Sequence, residues 1–297
     1  MSSQSKPLIG EASLTLAGKL SGISVANRGN PYAAMESWPQ QLEPTEAWHT
    51  SLPLISLAGT PDFDSLSEAD RKRMSFYEAV NFYSLNIHGE RSLMESIAHR
   101  LYRKWPAPVS DYLHHFLAEE NNHMTLFGSF CLRYAGKIYP DRHMNFPRTY
   151  APGEEDFLFF AHTLIFEEIV DYYNYVNAND ATLHPVSREI NRLHRFDEAR
   201  HLAFGRKIAA DLFQAYSPSW SPETLSALRE HLANFILVTL REYVNPDIYR
   251  DLGLADPYAV AERAWQSPSG LERRQKATSK LRHFLISNGI LLEEPPL

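Results

Sequence analysis

The sequence predicts an all-α fold built around a helical bundle, and three observations predict it. From about residue 65 to the C-terminal end, apolar residues recur with the period of a helix. Alternating runs of Val, Ile and Thr between turn residues, which are typical of strands, are missing. Glycine is sparse, with 13 residues in 297, which argues against glycine-rich nucleotide-binding loops. Residues 1–60 are rich in Pro, Gly, Ser and Asn, so they are predicted to be an irregular N-terminal extension, and residues 61–297 the helical domain.

Start and stop residues divide the domain into helices. The first opens with the capping box Ser65-Leu66-Ser67-Glu68 and continues, with or without one break, towards Trp105, where Pro106 and Pro108 end it. The second runs from near Ser110 to near Gly136. The remaining predicted helices are 154–178, Pro185 to about Tyr216, Ser221 to before Pro246, 256–266 and 270–288. Four long helices therefore form the core, and shorter C-terminal helices are added to it.

Composition limits the classes of partner. The net charge of −7 argues against nucleic-acid binding, which needs clustered Lys and Arg. The single cysteine, Cys131, excludes an internal disulfide and fits a reducing compartment. The most apolar runs, 157–166 and 235–240, are much shorter than the ~20 residues of a membrane-spanning helix. The sequence therefore predicts a cytoplasmic protein without a membrane anchor.

Two helices carry the same motif, an acid followed by Glu-x-x-His. The second helix contains Glu119-Glu120-x-x-His123, and the fourth contains Asp197-Glu198-x-x-His201. A Glu and a His three residues apart lie on the same face of a helix, so both can bind one metal ion. Around Glu120 this face is otherwise almost entirely apolar (Leu113, Phe116, Leu117, Met124, Phe127 and Cys131). A carboxylate and an imidazole on a core-facing stripe are costly unless they are paired or bound to metal.

A di-metal cage in a helical bundle also needs one glutamate from each of the other two helices. Glu90 lies 30 residues before Glu120, on a face with Phe82, Leu93 and Ile97, whereas Glu95 lies on a solvated face. On the third helix, Glu167 and Glu168 lie 31 and 30 residues before Glu198, and periodicity alone does not choose between them. The repeated spacing predicts two similar helical hairpins with the metal ions between them.

A further candidate ligand is His194, which lies one turn before Glu198 on the same face. One metal ion could then take His123, and the other both His194 and His201. Four glutamates and two divalent ions would make a neutral core, which avoids much of the cost of burying net charge. Carboxylate and imidazole ligands suit two iron ions, with manganese as a substitute.

Other polar residues near these motifs have competing interpretations. Glu119 and Asp197 are predicted to orient the histidine of the opposite hairpin, because a metal-bound histidine usually donates its second N–H to a carboxylate or carbonyl. Arg241 lies beside an apolar run and could hold a substrate carboxylate, although an ion pair with a nearby acid is the more common role of such a residue. His88, His114, His115 and His162 are interpreted as structural or exposed.

The set Glu90, Glu120-x-x-His123, Glu167 and His194-x-x-x-Glu198-x-x-His201 resembles the p-aminobenzoate N-oxygenase family of ferritin-like non-haem di-iron enzymes. Asp-Glu-Ala-Arg-His with a histidine four residues before the Glu is its most specific part, because the third histidine is typical of this family. The resemblance covers roughly residues 75–215. It favours Glu167 over Glu168, because in the family the corresponding glutamate has the spacing that Glu167 has from His194.

The resemblance implies an oxygenase of specialised metabolism that uses O2 to convert an amine to a hydroxylamine, and in some members on to a nitroso or nitro product. It implies a small-molecule amine substrate, an external electron donor or reductase and a homodimer. The alternatives are a di-iron hydroxylase or desaturase acting on carbon, a ferritin-like iron-handling protein, and a metal-free helical interaction protein.

Overall fold

The computed structural model describes residues 8–142 and 149–297, and in these residues the fold is all-α, as predicted. Four long helices form the core: α4 (Glu68–Ala98), α5 (Ala107–Phe130), α6 (Glu154–Asn179) and α7 (Pro185–Tyr216). Preceding them are α1 (Glu11–Ala26), α2 (Pro31–Met35) and α3 (Pro61–Asp64), and following them are α8 (Pro222–Glu242), α9 (Pro246–Asp251), α10 (Pro257–Gln266) and α11 (Pro268–Ser287). No helix of the described residues is long and apolar enough to cross a membrane.

The core helices pair as two hairpins, α4 with α5 and α6 with α7. The hairpins meet through contacts of α5 with α7 and of α4 with α6, and α8 and α11 pack on the outside of α6. The core between them is strongly aromatic; its fully buried rings include Tyr83, Tyr112, Phe116, Phe127, Phe160 and Phe204. This arrangement directs one face of each long helix into a shared interior, as the repeated spacing of glutamates predicts.

The ends of the long helices follow local capping chemistry. At the start of α4 the Ser67 hydroxyl accepts a hydrogen bond from the Asp70 N–H and donates one to its carboxylate, so the cap is Ser67 and not the predicted Ser65. This helix is continuous but ends at Ala98, well before the predicted Pro106, and turns follow up to residue 105. After α5 a π-helical turn, Cys131–Ala135, ends at Gly136, whose φ of 66° favours glycine. The predicted loop from Tyr139 to Gly153 lies partly outside the described residues.

The N-terminal segment is less irregular than predicted, because α1 lies within it. This helix packs against α5 and α7, and Asp211 of α7 accepts hydrogen bonds from the Gly10 N–H and the Ser13 hydroxyl. Apart from Leu20, its buried face is formed by serine and alanine (Ser13, Ala17, Ser21 and Ser24), so it has hardly any apolar period to detect in the sequence. The division into an extension and a domain that begins at residue 61 stays a prediction.

Residues between α2 and α4 cover one end of the bundle and are held there by a buried carboxyl group. The Glu78 carboxylate of α4 accepts hydrogen bonds from the Ser56 N–H and hydroxyl, and Ser56 also hydrogen-bonds to the Tyr249 hydroxyl of α9. Burial raises the pKa of Glu78 from 4.5 to about 7, although the Ser56 hydrogen bonds oppose the rise. The protonated carboxyl therefore fits this site better than the carboxylate.

Glu78→Gln should make the protein less sensitive to alkaline pH. The folded state keeps a proton on Glu78 that the unfolded chain loses above pH 4.5. The unfolding free energy of the wild type therefore falls as pH rises from 4.5 to about 7. Since each unit of pKa difference corresponds to ~1.4 kcal/mol, the total fall is about 3 kcal/mol. Denaturant unfolding at about pH 4 and about pH 8 should show the variant gaining on the wild type by this amount. Glu95→Gln, on the exposed face of α4, is the control. An equal pH dependence in wild type and Glu78→Gln would contradict the prediction.

Candidate metal centre

The bundle interior brings all seven predicted ligands together. They come from the four core helices: Glu90 from α4, Glu120 and His123 from α5, Glu167 from α6, and His194, Glu198 and His201 from α7. Every one of these side chains is buried, with no more than 2% of the residue exposed. They form three overlapping groups in which the ligand atoms lie within 4.8 Å of one another: Glu90, His123 and His194; Glu120, Glu198 and His201; Glu167, His194 and Glu198.

Distances within the cluster show how the two hairpins meet. His123 Nδ1 of α5 lies 3.5 Å from carboxylate oxygens of both Glu120 and Glu198. His201 Nδ1 of α7 lies 2.8 Å from Glu120 and 3.2 Å from Glu198. Glu120 and Glu198 therefore occupy the middle of the cluster, between histidines of opposite hairpins.

His194 extends the cluster beyond the minimal cage. Its Nε2 lies 2.9 Å from Glu198 and 3.3 Å from Glu90, and it shares one group with His123 and another with Glu167. His194 is thus within reach both of the group that contains His123 and of the group that contains Glu167. The division in which His194 and His201 bind one ion and His123 binds the other therefore stays a prediction.

The inward-facing atoms fit metal ions. Both carboxylate oxygens of Glu90, Glu120 and Glu167 make no hydrogen bond within the described residues, nor do Glu198 Oε2, His123 Nδ1 and His194 Nε2. Buried carboxylates and imidazoles without hydrogen bonds are costly, and a shared metal ion is the usual compensation. Four carboxylates and three imidazoles, without thiolate, suit iron or a similar first-row ion. Two divalent ions would bring the net charge of the cluster near zero.

The pKa values in the cluster show that its buried carboxylates are unfavourable as charged groups unless cations or protons accompany them. Burial, together with the charges of Glu198 and Glu120, raises the pKa of Glu167 well above its ordinary value. Burial by itself would lower the pKa of His201, but the nearby carboxylates of Glu198 and Glu120 raise it well above its ordinary value. The cluster thus attracts cations, and metal binding must displace the protons that it holds.

Outside the cluster, the two acids that precede the motif glutamates contact the histidines crosswise. Asp197 Oδ2 of α7 lies 3.1 Å from His123 Nε2 of α5, and Glu119 Oε2 of α5 lies 2.8 Å from His201 Nε2 of α7. Each histidine therefore has its Nε2 towards the acid of the opposite hairpin and its Nδ1 towards the cluster. This placement is the one that the sequence predicts, and the proposed role in orienting the ligands rests on it.

Sequence reasoning missed the arginine that joins these acids. Arg200 donates hydrogen bonds to Glu119, at 2.6 Å, and to Asp197. Its Nε donates to the Ser24 hydroxyl of α1 at 3.1 Å, which ties the N-terminal helix to the surroundings of the cluster. The signal was the Arg in Asp-Glu-Ala-Arg-His, three residues after Asp197. In the α5 motif Asn122 takes the equivalent position, so one arginine serves both acids.

A second residue missed from the sequence is Asn174 of α6, which lies 2.8 Å from His194 Nδ1 through its side-chain amide. Asn174 Oδ1 is buried without a hydrogen bond in the described residues. Exchanging the amide O and N would let the oxygen accept a hydrogen bond from His194 Nδ1, and amide orientation is assigned from such networks. Each candidate histidine therefore has one polar partner behind it.

Glu167 and Glu168 point in different directions. Glu167 lies in the cluster, whereas Glu168 accepts a hydrogen bond of 2.6 Å from Arg206 Nε. Among the other candidates considered, Arg241 pairs with Glu262 and stacks on Trp265. The histidines outside the cluster have structural neighbours, with His88 contacting the Tyr139 carbonyl and His162 lying 2.8 Å from His231.

Glu167→Gln should reduce metal binding, whereas Glu168→Gln should not. Both changes preserve side-chain size, but only the first removes a charge from the cluster, so that variant should bind about one metal ion fewer per chain. Metal analysis after anaerobic loading measures the difference, and the Glu168 variant is the matched control. If Glu167→Gln bound two metal ions per chain and Glu168→Gln bound fewer, Glu168 and not Glu167 would be the ligand.

Comparison with known protein families agrees with this geometry. The family model for p-aminobenzoate N-oxygenase AurF matches residues 11–289, nearly the whole chain. The chain belongs to the p-aminobenzoate N-oxygenase family. A search of curated proteins gave no match.

The match to the p-aminobenzoate N-oxygenase family model covers more of the chain than the resemblance over residues 75–215 that the sequence motifs indicated. It begins at α1 and reaches past α11, so the match includes the N-terminal and C-terminal helices. Membership indicates an oxygenase with a di-iron centre, and the buried cluster supplies groups of residues that could bind metal. Nothing in the match favours manganese.

Proposed function

We propose that this protein is a non-haem di-iron oxygenase that uses O2 to oxidise the nitrogen of a small-molecule amine. The observation that carries the proposal is the buried set of four carboxylates and three imidazoles in a chain of the p-aminobenzoate N-oxygenase family. Glu90, Glu120, His123, Glu167, His194, Glu198 and His201 are proposed to hold two iron ions. When bound, these ions would supply the redox chemistry that reduces O2.

The stoichiometry of the reaction sets what the protein needs. Conversion of R–NH2 and O2 to R–NHOH and water consumes two electrons and two protons, and a nitroso or nitro product requires further oxidation. Repeated turnover needs a continuing supply of these electrons, so we propose an external electron donor or reductase as a partner. The protein's own contribution is to hold the ions, exclude water and orient the amine.

The surroundings of the cluster support that contribution. Its ligands are buried among aromatic rings, and Phe116 stacks on His201 at a centroid distance of 3.9 Å. A closed, largely apolar site strengthens electrostatic interactions and limits side reactions with water. The acids Glu119 and Asp197 keep the histidine rings in fixed orientations through their Nε2 atoms.

A cavity against α4 is proposed as the place where the amine first binds, and none of its lining residues belongs to the cluster. It has a volume of about 270 Å³ and lies between α4, residues 139–142 and the turn from α8 to α9, where Leu85 and Val238 contribute apolar surface. Between its lining residues Glu242 and Val244 lies Tyr243, which is buried and whose hydroxyl makes no hydrogen bond in the described residues. Burial raises the pKa of Tyr243 well above its ordinary value, and the charges of Glu242 and Glu167 contribute. Tyr243 therefore follows a lining residue of the cavity in sequence, and the charge of Glu167 in the cluster acts on its hydroxyl.

Two other functions would use a similar cluster. A di-iron hydroxylase or desaturase would act on carbon, and an iron-handling protein would oxidise iron without an organic product. Membership of the p-aminobenzoate N-oxygenase family favours oxidation of a nitrogen atom over oxidation of a carbon atom. It also favours an oxygenase over an iron-storage protein.

The deciding experiment is a single-turnover reaction on the iron-loaded protein. The protein is loaded anaerobically with Fe(II), exposed to ¹⁸O-labelled O2 with arylamines, aliphatic amines and amino acids, and the products are analysed by mass spectrometry. A hydroxylamine, nitroso or nitro product carrying ¹⁸O on nitrogen supports the proposal, and His201→Ala should not form it. Label on carbon, or oxidised iron without an organic product for any amine, would favour one of the alternatives.

A further inference from the structure

A buried carboxamide on α4 lies one helical turn from the cluster. Asn86 precedes Glu90 by four residues, so the two side chains lie on the same face of the helix, about 6 Å apart along its axis. Both residues are fully buried. Asn86 Oδ1 makes no hydrogen bond within the described residues. This part of the chain thus leaves a good hydrogen-bond acceptor without a donor, close to the proposed metal ligands.

The nitrogen of this amide fixes its orientation. Asn86 Nδ2 donates a hydrogen bond of 2.7 Å to the Phe82 carbonyl, which can only accept. Exchanging the amide O and N would place two acceptors against each other, so the contact decides the assignment. Because the two amide atoms diverge from Cγ, Oδ1 is directed away from that carbonyl and into the interior. Asn174 is different, since the exchange would give its oxygen a partner in His194 Nδ1.

Other asparagines with the same helical hydrogen bond have a partner or solvent for their oxygen. Three exposed asparagines also donate Nδ2 to the carbonyl four residues before: Asn27, Asn179 and Asn288. Their oxygens can hydrogen-bond to water. Asn191 makes the same bond inside the bundle, and its Oδ1 accepts a hydrogen bond from Asn177. Among the asparagines with this bond in residues 8–142 and 149–297, Asn86 alone therefore has a buried oxygen without a donor.

A neutral amine offers the donor that Asn86 Oδ1 lacks. A buried amide oxygen without a hydrogen bond is unfavourable, and such a group in a native protein calls for a functional explanation. An amine nitrogen carries N–H donors and one lone pair. It can donate to Oδ1 and keep the lone pair for the N–O bond of the proposed reaction. A C–H group of a carbon substrate cannot make this hydrogen bond, so the arrangement suits a nitrogen centre.

We infer that Asn86 is a specificity-determining residue whose Oδ1 accepts a hydrogen bond from the N–H of the amine substrate and holds the nitrogen beside the metal site. The inference rests on the proposed function, because the amine is the substrate of that reaction. Leu85, the preceding residue, lines the cavity in which the amine is proposed to bind first, so one turn of α4 carries both features. A site built to hydrogen-bond an N–H group discriminates against analogues that lack it.

The test is a binding cycle between this side chain and the N–H group. Wild type, Asn86→Leu and the matched control Asn179→Leu, which loses the same helical bond at an exposed position, are loaded anaerobically with Fe(II). Isothermal titration then compares aniline and p-aminobenzoate with their N,N-dimethyl derivatives, which have no N–H on the amine nitrogen. Wild type and Asn179→Leu should bind each primary amine about tenfold more tightly than its dimethyl derivative, the effect of one buried hydrogen bond. Asn86→Leu should lose this preference.

A steric preference gives a different result. If the two methyl groups merely clash with the site, the preference should persist in Asn86→Leu, whose side chain is of similar size, and the inference is wrong. It is also wrong if wild type binds neither primary amine, or binds both members of each pair equally. Thermal unfolding of the three proteins checks the fold, and Asn86→Ala, which also removes the acceptor, is titrated in the same way if Asn86→Leu does not fold.

The reaction with O2 provides a readout that a purely structural role of Asn86 would not change. In the single-turnover experiment, Asn86→Leu should oxidise its iron at the wild-type rate but form less ¹⁸O-labelled product per iron oxidised, because the amine is no longer oriented. Asn179→Leu should give the wild-type yield. An unchanged yield in Asn86→Leu would overturn the inference.

Binding and oxidation are measured separately, so the two proposals can fail independently. If ¹⁸O appears on nitrogen but Asn86→Leu keeps the preference for primary amines, the inference is wrong and the proposed function stands. If the preference depends on Asn86 but no amine is oxidised, the proposed function is wrong and Asn86 is still supported as the amine contact. If the protein does not bind iron, both are overturned.

Discussion

Glu198→Ala is expected to remove metal binding from the cluster almost completely. Glu198 contacts His123, His194 and His201, at 3.5, 2.9 and 3.2 Å, so it touches every histidine of the cluster. Loss of a group that merely orients a ligand weakens metal binding 10–100-fold, so loss of this central ligand should cost more than about 100-fold. Isothermal titration with Fe(II) under anaerobic conditions measures the affinity.

Stability provides a second measurement for the same variant. Metal that binds only the folded state raises the unfolding midpoint, so the wild type should gain thermal stability on addition of Fe(II) and Glu198→Ala should gain almost none. Glu168→Gln, beside the cluster but paired with Arg206, should behave as wild type. Metal-dependent stabilisation that persists in Glu198→Ala would show that the ions bind elsewhere.

Arg200→Ala is expected to weaken both the fold and the metal centre. The guanidinium is buried and binds Glu119, Asp197 and Ser24, which belong to α5, α7 and α1. Its removal leaves the buried carboxylate of Glu119 and the half-buried carboxylate of Asp197 without their shared cation, at a cost of about 3 kcal/mol in unfolding free energy. Metal affinity should fall 10–100-fold as well, because the acids that orient His123 and His201 lose their position.

The matched control for Arg200→Ala is Arg195→Ala. Arg195 lies on the same helix and pairs with Asp171, but its side chain is 42% exposed. Exposed ion pairs contribute about 0–1 kcal/mol, so this variant should keep near-normal stability and metal affinity. Denaturant unfolding and metal titration of both variants provide the comparison. If both variants lost the same unfolding free energy and metal affinity, Arg200 would have no special role in holding Glu119 and Asp197.

That the seven candidate ligands come together was predictable because they repeat with helical spacing. Glu120 and His123, like Glu198 and His201, lie three residues apart, the stripe around Glu120 is otherwise almost entirely apolar, and this pattern requires only a helix. Helical periodicity alone did not choose between Glu167 and Glu168, since both are buried on α6. The structure places Glu167 in the cluster and pairs Glu168 with Arg206 of α7.

Other features depend on contacts between elements that the sequence does not bring together. Arg200 pairs with Glu119 on another helix, and this pairing leaves no periodic signal. The buried face of α1 contacts α5 and α7 mostly through serine and alanine, so hydrophobic periodicity did not reveal the helix. The start of α4 was misplaced by two residues because Ser65 and Ser67 are both reasonable caps, and only the Asp70 contact distinguishes them.

The crosswise contacts of Asp197 with His123 and of Glu119 with His201 have a consequence for assembly. The α4–α5 pair carries His123, which contacts an acid of the α6–α7 pair, and the α6–α7 pair carries His201, which contacts an acid of the α4–α5 pair. Neither pair alone therefore holds both of these histidines with their acidic partners. We therefore expect iron to bind firmly only after the two helix pairs have docked. A nascent or partly opened molecule would hold iron weakly, which keeps oxygen-reactive metal away from exposed polypeptide.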